Sequence, residues 1–284
     1  RDKKGNIMKM YTSPSFLDRF KIIMPMGSGS LTGIIMKRVK NNTPDYFIRL
    51  RSNDDNKVSA EKSTALSRDI MQLGPWPNKT EALSLITASI GHSAASYQDV
   101  IKAINNGLTC STHTYNAQKG IHHREVGVVG ASMLEDELYT ELICDGIHVS
   151  YPAVRLLIRN KPLDKIVLIT DSLRVKHLDD GKYTEPSGQV IIKDGGVARL
   201  EDGTIAGSIL KMNEAVKNIL DNTNVSFIDA VNFATANPAK NLRMFDKMGS
   251  ISVGKLANLL VVDKDINIYK TIVKGKILYE KSED

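Results

Sequence analysis

The six histidines of the chain all lie between residues 92 and 177, and two of them directly follow short strand-like runs. His92 follows the run 87–91, and His113 follows the run 110–112. Because the carboxyl ends of parallel strands meet at one edge of a sheet, the two imidazoles could face each other there. Such a pair suits Zn²⁺ or Fe²⁺. One histidine in such a place is more often a hydrogen-bonded structural residue.

Asp171 follows the clearest buried strand pattern in the sequence, the apolar run 166–169. A carboxylate at this position can cap the turn or helix that comes next. It can also act as a general base beside a metal ion, because the metal lowers the pKa of a bound water toward ~7. Position alone leaves these two roles equally open. Two histidines in succession, followed by Asp171 on a further strand end, favour a metal site.

An alternation of short strands and amphipathic helices must position these side chains. One helix is predicted after the capping-box pattern of Ser96 and Asp99, and another is opened by Ser150 and Pro152. This βαβα pattern predicts an α/β fold with a parallel sheet and helices outside it. Strand ends converge on one site in a (β/α)8 barrel and line a crevice in an open doubly wound sheet. Periodicity alone does not separate the two architectures.

The last third of the chain has a different pattern. Residues 189–200 read as a β-hairpin with a turn at Asp194 and Gly195. We expect a long helix from Ser208, a second helix after residue 226, and strands at 259–263 and 271–279. The predicted organisation is a β/α domain over residues 1–248, with the hairpin near 189–200 inserted, and a small β-domain over residues 249–284.

Composition narrows the class of protein. Of the 284 residues, 42% are hydrophobic and 25% are charged, as in ordinary soluble globular proteins. No apolar run approaches the ~18 residues of a membrane span, and the first residues show no signal-peptide pattern, so we expect no membrane partner. The net charge of +6 comes from scattered lysines and arginines, which argues against nucleic-acid binding. It suits a small anionic substrate such as a sugar phosphate, although solvated lysines usually explain it.

The two cysteines, Cys110 and Cys144, lie in strand-like segments. Two thiols in a chain of this length do not make a disulfide framework. The cysteine content therefore fits a reducing, cytoplasmic environment.

Eight segments resemble, in order and spacing, the characteristic motifs of the N-acetylglucosamine-6-phosphate deacetylase family. The similarity runs unbroken from about residue 85 to the end, and one visible departure is Val126, where the family usually has proline. The segments are GHSAASY (91–97), THTYNA (112–117), HREVG (123–127), DGIHV (145–149), ITDS (169–172), GTIAGS (203–208), NPA (237–239) and GSISVGKLANL (249–259).

The resemblance implies a role for each matching residue. His92 and His113 would bind a divalent metal ion (Zn, Fe, Mn or Co), and Asp171 would be the catalytic acid/base. Arg124 would bind the 6-phosphate, although it could instead be a surface arginine paired with a neighbouring glutamate. The other implied substrate-binding residues are Asn116, Ala117, His148, Ile205, Ala206, Gly207 and Ser208, of which the last four also read as a turn before a helix.

The resemblance also implies a fold and a reaction. The fold would be a TIM-like (β/α)8 amidohydrolase barrel with a small β-sandwich-like domain. The reaction would be hydrolysis of the acetamide of N-acetylglucosamine 6-phosphate to glucosamine 6-phosphate and acetate, by a homodimer in which the loop of Arg124 reaches the neighbouring subunit.

Residues 1–85 do not follow the family pattern. Phe20 and Ile22 stand where the first barrel strand of the family carries two histidines, and the segment that supplies a metal-binding glutamate is not found. The first half is therefore expected to be shortened, diverged or incompletely represented in this sequence, and an incomplete barrel at its N-terminal strands is one of these alternatives. Two alternatives remain open: a non-catalytic relative that binds sugar phosphates, and another amidohydrolase such as a cyclic-amide hydrolase. The HREVG and IAGS segments argue against the latter.

Overall fold

A computed structural model describes residues 86–282 of the protein, apart from Pro186 and Ser187, together with five short strands nearer the N-terminus. Two antiparallel pairs occur among these five, β2 with β3 and β4 with β5. The five strands are β1 (Phe20–Ile22), β2 (Met26–Gly27), β3 (Ser30–Leu31), β4 (Gly33–Lys37) and β5 (Tyr46–Leu50).

A five-stranded parallel sheet contains the predicted site strands. Its order is β1, then β6 (Ile86–Ile90), β7 (Leu108–Ser111), β8 (Tyr139–Leu142) and β9 (Ile166–Leu168). Every neighbouring pair is parallel, so the carboxyl ends of the strands lie along one edge. The predicted α/β class with a parallel sheet is confirmed. In the described residues, β1 pairs directly with β6, the strand that precedes His92.

Helices connect the last four strands of this sheet. They are α1 (Tyr97–Asn105), α2 (Gly127–Leu134) and α3 (Tyr151–Arg159). The predicted capping box is confirmed, because Ser96 and Asp99 exchange side-chain and backbone hydrogen bonds at the start of α1. The helices bury apolar residues against the sheet, such as Val100 in α1 and Leu157 in α3. Burial of this kind is the main favourable contribution to folding.

Beyond β9, an antiparallel sheet is formed by β10 (Gly181–Thr184), β11 (Val190–Asp194) and β12 (Val197–Arg199). Short 3₁₀ helices lie at Leu163–Lys165 and Arg174–His177. The predicted hairpin is β11 with β12. Its turn lies one residue later than predicted, on Gly195 and Gly196 with φ of 55° and 89°, because a tight hairpin turn needs two left-handed residues.

Three further helices follow: α4 (Met212–Asn222), α5 (Phe227–Ala234) and α6 (Ala236–Asn241). The prediction that a helix begins at Ser208 is wrong by four residues. The backbone of Ser208 instead pairs with the segment after β9, and a residue bonded in this way cannot join a helix. The helix predicted after residue 226 is confirmed: α5 begins at Phe227, and the side chain of Ser226 accepts a hydrogen bond from the backbone of Asp229.

A three-stranded antiparallel sheet closes the chain: β13 (Leu259–Val262), β14 (Ile268–Val273) and β15 (Lys276–Glu280). The single strand predicted at 271–279 is in fact two strands, since Lys274 and Gly275 take positive φ and form a turn. The division of the chain at residue 248 into a barrel and a small β-domain remains our proposal. In the part of the chain that the structure describes, no helix has the length and apolar character needed to span a membrane.

Candidate active site

His92 and His113 lie side by side at the carboxyl edge of the parallel sheet. Each is two residues beyond its strand, β6 and β7 respectively. Their rings meet edge to face, with the centroids 4.6 Å apart. The strand ends approach closely here, because a Cβ on Gly91 would lie 2.9 Å from the Cβ of Thr112. Two neighbouring imidazoles in this arrangement fit two ligands of one metal ion.

Asp171 lies three residues beyond β9 and acts electrostatically on His92. Burial lowers the pKa of the His92 imidazole, and the negative charge of Asp171 opposes that shift. Asp171 does not cap the 3₁₀ helix that follows, whose N-cap is Leu173. No described residue donates a hydrogen bond to the Asp171 carboxylate. The capping alternative therefore has no support in the structure, whereas the general-base alternative is compatible with it.

Left-handed backbone conformations are concentrated at these residues. Among the described residues, eight that are not glycine have positive φ, and five of them are in the candidate site. Such conformations cost of order 1–3 kcal/mol each and persist where surrounding contacts enforce them. Their clustering is typical of functional sites, where side chains must point away from the course of the strand. The five are His92 (46°), His113 (32°), Tyr115 (81°), Ala117 (48°) and Asp171 (46°).

The loop after His113 is held by side chains of its own segment. The Asn116 amide donates to the carbonyl of His113 at 3.3 Å, and the Tyr115 hydroxyl donates to the carbonyl of Ala153 at 2.8 Å. Gln118 donates to Ser111 Oγ at 3.0 Å and accepts from the backbone of Tyr115. Gln118 directly follows the THTYNA segment and belongs to no motif, so the sequence did not predict that it supports this loop. These bonds fix the backbone at the predicted substrate residues Asn116 and Ala117.

Arg124 lies in an exposed loop, and its neighbour Glu125 is bonded elsewhere. Glu125 Oε1 accepts hydrogen bonds from the backbone N–H groups of Tyr97 and Gly127, both at 2.9 Å. These two bonds lower the pKa of the Glu125 carboxyl. Glu125 thus ties the Arg124 loop to the first turns of α1 and α2. The structure therefore does not show the alternative of a surface ion pair between Arg124 and Glu125. Arg124 is exposed.

His148 forms a short bond to a half-buried carboxylate. Its Nδ1 lies 2.6 Å from Asp145 Oδ2, and Asp145 also accepts from the backbone of Ile147 and His148. Burial raises the pKa of Asp145, but these hydrogen bonds outweigh burial and the pKa is lowered. An ionised Asp145 therefore holds the Nδ1–H tautomer, which leaves Nε2 as the nitrogen that can contact a ligand.

His148 also lines a cavity of about 460 Å³. Gly207 and Ser208 line it as well, whereas the other two residues of the predicted set lie toward β12. Ala206 donates its N–H to the carbonyl of Ala198, and Ile205 forms a bridge with Arg199. The cavity thus brings together His148, Gly207 and Ser208 of the predicted residues.

Two lysines that the sequence analysis did not single out, Lys176 and Lys193, also line this cavity. Both direct the ammonium to backbone carbonyls: Lys176 to Leu210 at 3.5 Å, and Lys193 to Leu178 and, at 3.4 Å, to Lys176. Lys176 lies five residues beyond Asp171, but no spacing rule connects the two. The sequence therefore gave no signal for these residues.

Across residues 86–282, no group of three or more His, Cys, Asp or Glu side chains is placed so that it could hold a metal ion. The two thiols are buried and unpaired, and burial raises the pKa of Cys144 to about 12. Without a bound metal, Cys144 is therefore a neutral thiol at neutral pH. The described site thus has two neighbouring imidazoles that could bind a metal ion, and a nearby carboxylate.

Comparison with known proteins places this arrangement in a family. The model of the amidohydrolase family matches residues 79–278. The chain therefore belongs to the amidohydrolase family. Several of its relatives in sequence are named as deacetylases of N-acetylhexosamine 6-phosphates.

Two relatives illustrate the range. N-acetylglucosamine-6-phosphate deacetylase of Bacillus subtilis is 44% identical over 198 residues, which are 70% of this chain and 50% of that protein. N-acetylgalactosamine-6-phosphate deacetylase of Escherichia coli O157:H7 is 35% identical, over 68% of this chain and 50% of that protein. The chain spans about half the length of the curated relatives it matches.

Solved structures agree with the fold. The N-acetylglucosamine-6-phosphate deacetylase of Pasteurella multocida matches with a TM-score of 0.68 and 30% identity, over 79% of this chain and 57% of that one. A mutant of the Mycobacterium smegmatis enzyme in complex with N-acetyl-D-glucosamine-6-phosphate matches with a TM-score of 0.67 and 28% identity, over 78% of this chain and 56% of that one. The prediction of an amidohydrolase-type α/β fold is confirmed.

Proposed function

We propose that the protein hydrolyses the acetamide of N-acetylglucosamine 6-phosphate, giving glucosamine 6-phosphate and acetate. The observation that carries this proposal is the meeting of His92, His113 and Asp171 at the carboxyl edge of one parallel sheet, each in a left-handed backbone conformation. Each left-handed conformation is unfavourable, and three of them in a purely structural cluster would lower stability without any function to account for them. The names of the relatives supply the substrate.

Asp171 carries the proton transfers in this proposal. Its carboxylate accepts a proton from the attacking water and delivers that proton to the amine nitrogen as the carbon–nitrogen bond breaks. The lack of a hydrogen bond to this carboxylate from any described residue supports the role, since a general base needs a free oxygen. The electrostatic influence of Asp171 on His92 supports a role for this carboxylate beside the proposed metal ligands.

The remaining predicted residues bind substrate in this proposal. His148 would contact the sugar through Nε2, which accepts a hydrogen bond from a sugar hydroxyl because Asp145 holds the proton on Nδ1. Arg124 would bind the 6-phosphate, since a guanidinium matches a phosphate dianion in charge and shape. Asn116, Ala117 and the 205–208 segment would position the sugar ring.

The metal ion belongs to the proposal as well. His92 and His113 would hold it, and a further ligand would come from outside the described residues, within which no third ligand is placed. When bound, such an ion polarises the acetamide carbonyl and makes water a stronger nucleophile. Zn, Fe, Mn and Co all suit imidazole with oxygen ligands, so the donor set leaves the element open.

The proposal also includes the oligomeric state of the protein and its location in the cell. Arg124 and Ile121 are exposed in one loop, so a phosphate ligand on Arg124 fits a site shared with a second copy of the chain. We therefore include a homodimer in the proposal, to be checked by light scattering of the purified chain. The unpaired cysteines support a cytoplasmic location.

The test is acetate release by the chain loaded in turn with Zn²⁺, Fe²⁺, Mn²⁺ and Co²⁺. We expect turnover of N-acetylglucosamine 6-phosphate, and loss of at least ~10³-fold of that turnover in Asp171→Asn. The matched control is Asp221→Asn, which removes a carboxylate that pairs with Lys217 on the surface of α4. This control should keep full activity.

Two substrate comparisons sharpen the result. Unphosphorylated N-acetylglucosamine tests whether the phosphate is recognised, and the galactose epimer tests a second candidate that the E. coli relatives favour. Calorimetric binding of the sugar phosphate without acetate release under any metal would contradict the proposal. That outcome would establish a non-catalytic sugar-phosphate-binding protein instead.

A further inference from the structure

The segment that contains Asp171 pairs with a second segment, residues 208–210. Ser208 donates its N–H to the carbonyl of Asp171 at 2.9 Å, and Leu173 donates its N–H to the carbonyl of Ser208 at 2.8 Å. Together these bonds make a short parallel bridge between Ser172 and Ser208. The bridge therefore brackets Ser172 and fixes the carbonyl of Asp171, the residue with φ of 46°.

Side chains strengthen this bridge on both sides of Asp171. The Ser208 hydroxyl donates to the carbonyl of Thr170. The Ser172 hydroxyl donates to the carbonyl of Leu210 at 2.7 Å. The two serines thus link the segments in opposite directions, one before and one after Asp171.

Lys176 completes the network. Its ammonium donates to Ser172 Oγ at 3.3 Å and to the carbonyl of Leu210 at 3.5 Å. The Ser172 hydroxyl therefore acts once as donor and once as acceptor. Lys176 has no carboxylate partner among the described residues, so its half-buried charge rests on neutral oxygens alone. Partial burial of an ammonium group is unfavourable, and these hydrogen bonds offset part of that cost.

We propose that Ser172 and Lys176 are positioning residues that hold Asp171 in its left-handed conformation by fastening residues 170–173 to residues 208–210. The Asp171 carboxylate itself accepts no hydrogen bond from a described residue, so its direction depends on its backbone. This inference rests on the proposed function, because it assigns Asp171 the role of acid/base. It also assigns the Ser208 hydroxyl to this network.

The principal test compares kcat and KM of Ser172→Ala and Lys176→Met with those of the wild-type chain, on N-acetylglucosamine 6-phosphate. We expect kcat to fall about 10- to 100-fold in Ser172→Ala, with KM within about 2-fold, because a misdirected base slows chemistry without removing a substrate contact. Lys176→Met should show the same split with a smaller loss. Ser172→Thr keeps the hydroxyl and should retain activity within about 3-fold.

A second readout does not depend on turnover. Hydrogen exchange of the backbone N–H groups of Leu173 and Ser208 reports whether the two segments remain paired. We expect both to exchange at least about 10-fold faster in Ser172→Ala and in Lys176→Met. In the variant that carries both substitutions, these N–H groups should exchange little faster than in Ser172→Ala alone, because both residues act in one network.

Matched controls separate positioning from general destabilisation. Ser132→Ala removes another buried hydroxyl that donates to a carbonyl, that of Val128 in α2, at 2.8 Å. Lys182→Met removes a surface lysine that pairs with Glu201. Neither control should change kcat relative to the wild-type chain. Neither should change the hydrogen exchange rates of the backbone N–H groups of Leu173 and Ser208.

The inference is overturned if Ser172→Ala and Lys176→Met raise KM at unchanged kcat, or if they match the two controls in exchange. Failure of the proposed function gives a different pattern. In that case the wild-type chain releases no acetate, while the exchange experiment still reports on the pairing of the two segments.

Discussion

Gly207 provides the sharpest test of how tightly the Asp171 segment is packed. Its φ is 52°, and a Cβ at this position would lie 2.9 Å from Leu173 Cδ2 and 3.1 Å from the carbonyl oxygen of Asp171. The leucine methyl is the end of a flexible side chain and can move. The carbonyl is backbone, so Gly207→Ala must displace either residue 207 or Asp171.

Gly203 is a matched control for the same substitution. Its φ is 85°, and nothing lies within 4 Å of a Cβ built on it. Gly203→Ala therefore suffers only the backbone penalty of a left-handed residue, about 1–2 kcal/mol. Gly207→Ala suffers this penalty and also the contact, which we estimate at about 1 kcal/mol, the low end for overpacking. For a chain of this size, the difference corresponds to a Tm lower by ~2–4 °C.

The two variants should differ more in activity than in stability. A shift of Asp171 by a few tenths of an ångström should lower kcat about 10-fold in Gly207→Ala, whereas Gly203→Ala should keep the wild-type kcat. Thermal unfolding and acetate release measure the two effects on the same samples. Equal Tm values and equal kcat values in the two variants would refute the packing argument.

Three further predictions concern the scaffold. Leu157→Ala should lower the free energy of unfolding by about 2–5 kcal/mol in urea titrations, since this side chain is fully buried, whereas the exposed Leu156→Ala should change it by less than about 0.5 kcal/mol. Ser226→Ala should cost about 1 kcal/mol because it removes a cap bond, and Ser150→Ala, at an N-cap without one, should cost less in the same titration. The lowered pKa of Asp145 stabilises the fold fully above the ordinary aspartate pKa and progressively less as pH falls through the lowered value. The stability difference between wild type and Asp145→Asn should therefore shrink in acid, and a difference that grew in acid would contradict this sign.

Much of the fold could be predicted from the sequence because its local signals agree with each other. The strand before His92 is followed by a capping box at Ser96, and both were found where the pattern indicated. The start of α4 was misplaced because the apolar spacing after Ser208 continues without a break into the helix. A tertiary pairing of Ser208 with the Asp171 segment keeps the helix from beginning before Met212, and no local pattern encodes that pairing.

In the candidate site, too, some residues could be predicted from the sequence and others could not. His92, His113 and Asp171 were found because strand ends are readable in a βαβ sequence. Gln118 and Lys176 were not found, because their partners are backbone carbonyls and hydroxyls that only the folded chain brings within reach. A sequence therefore predicts which residues a site presents more readily than which residues hold them.

This division has a physical reason in the sheet itself. A parallel sheet brings strand ends to one edge, but alternation along a strand fixes only which face each side chain takes. Directing an imidazole or a carboxylate along the edge needs a residue with positive φ just past the strand, as at His113 and Asp171. Such a residue is held by bonds from the next segment, here from Thr114 to the carbonyl of Glu141 at 2.7 Å and from Ser208 to that of Asp171. The direction of each side chain in the site is thus a property of neighbouring segments, which is why a change at Ser172 should act on chemistry without touching substrate.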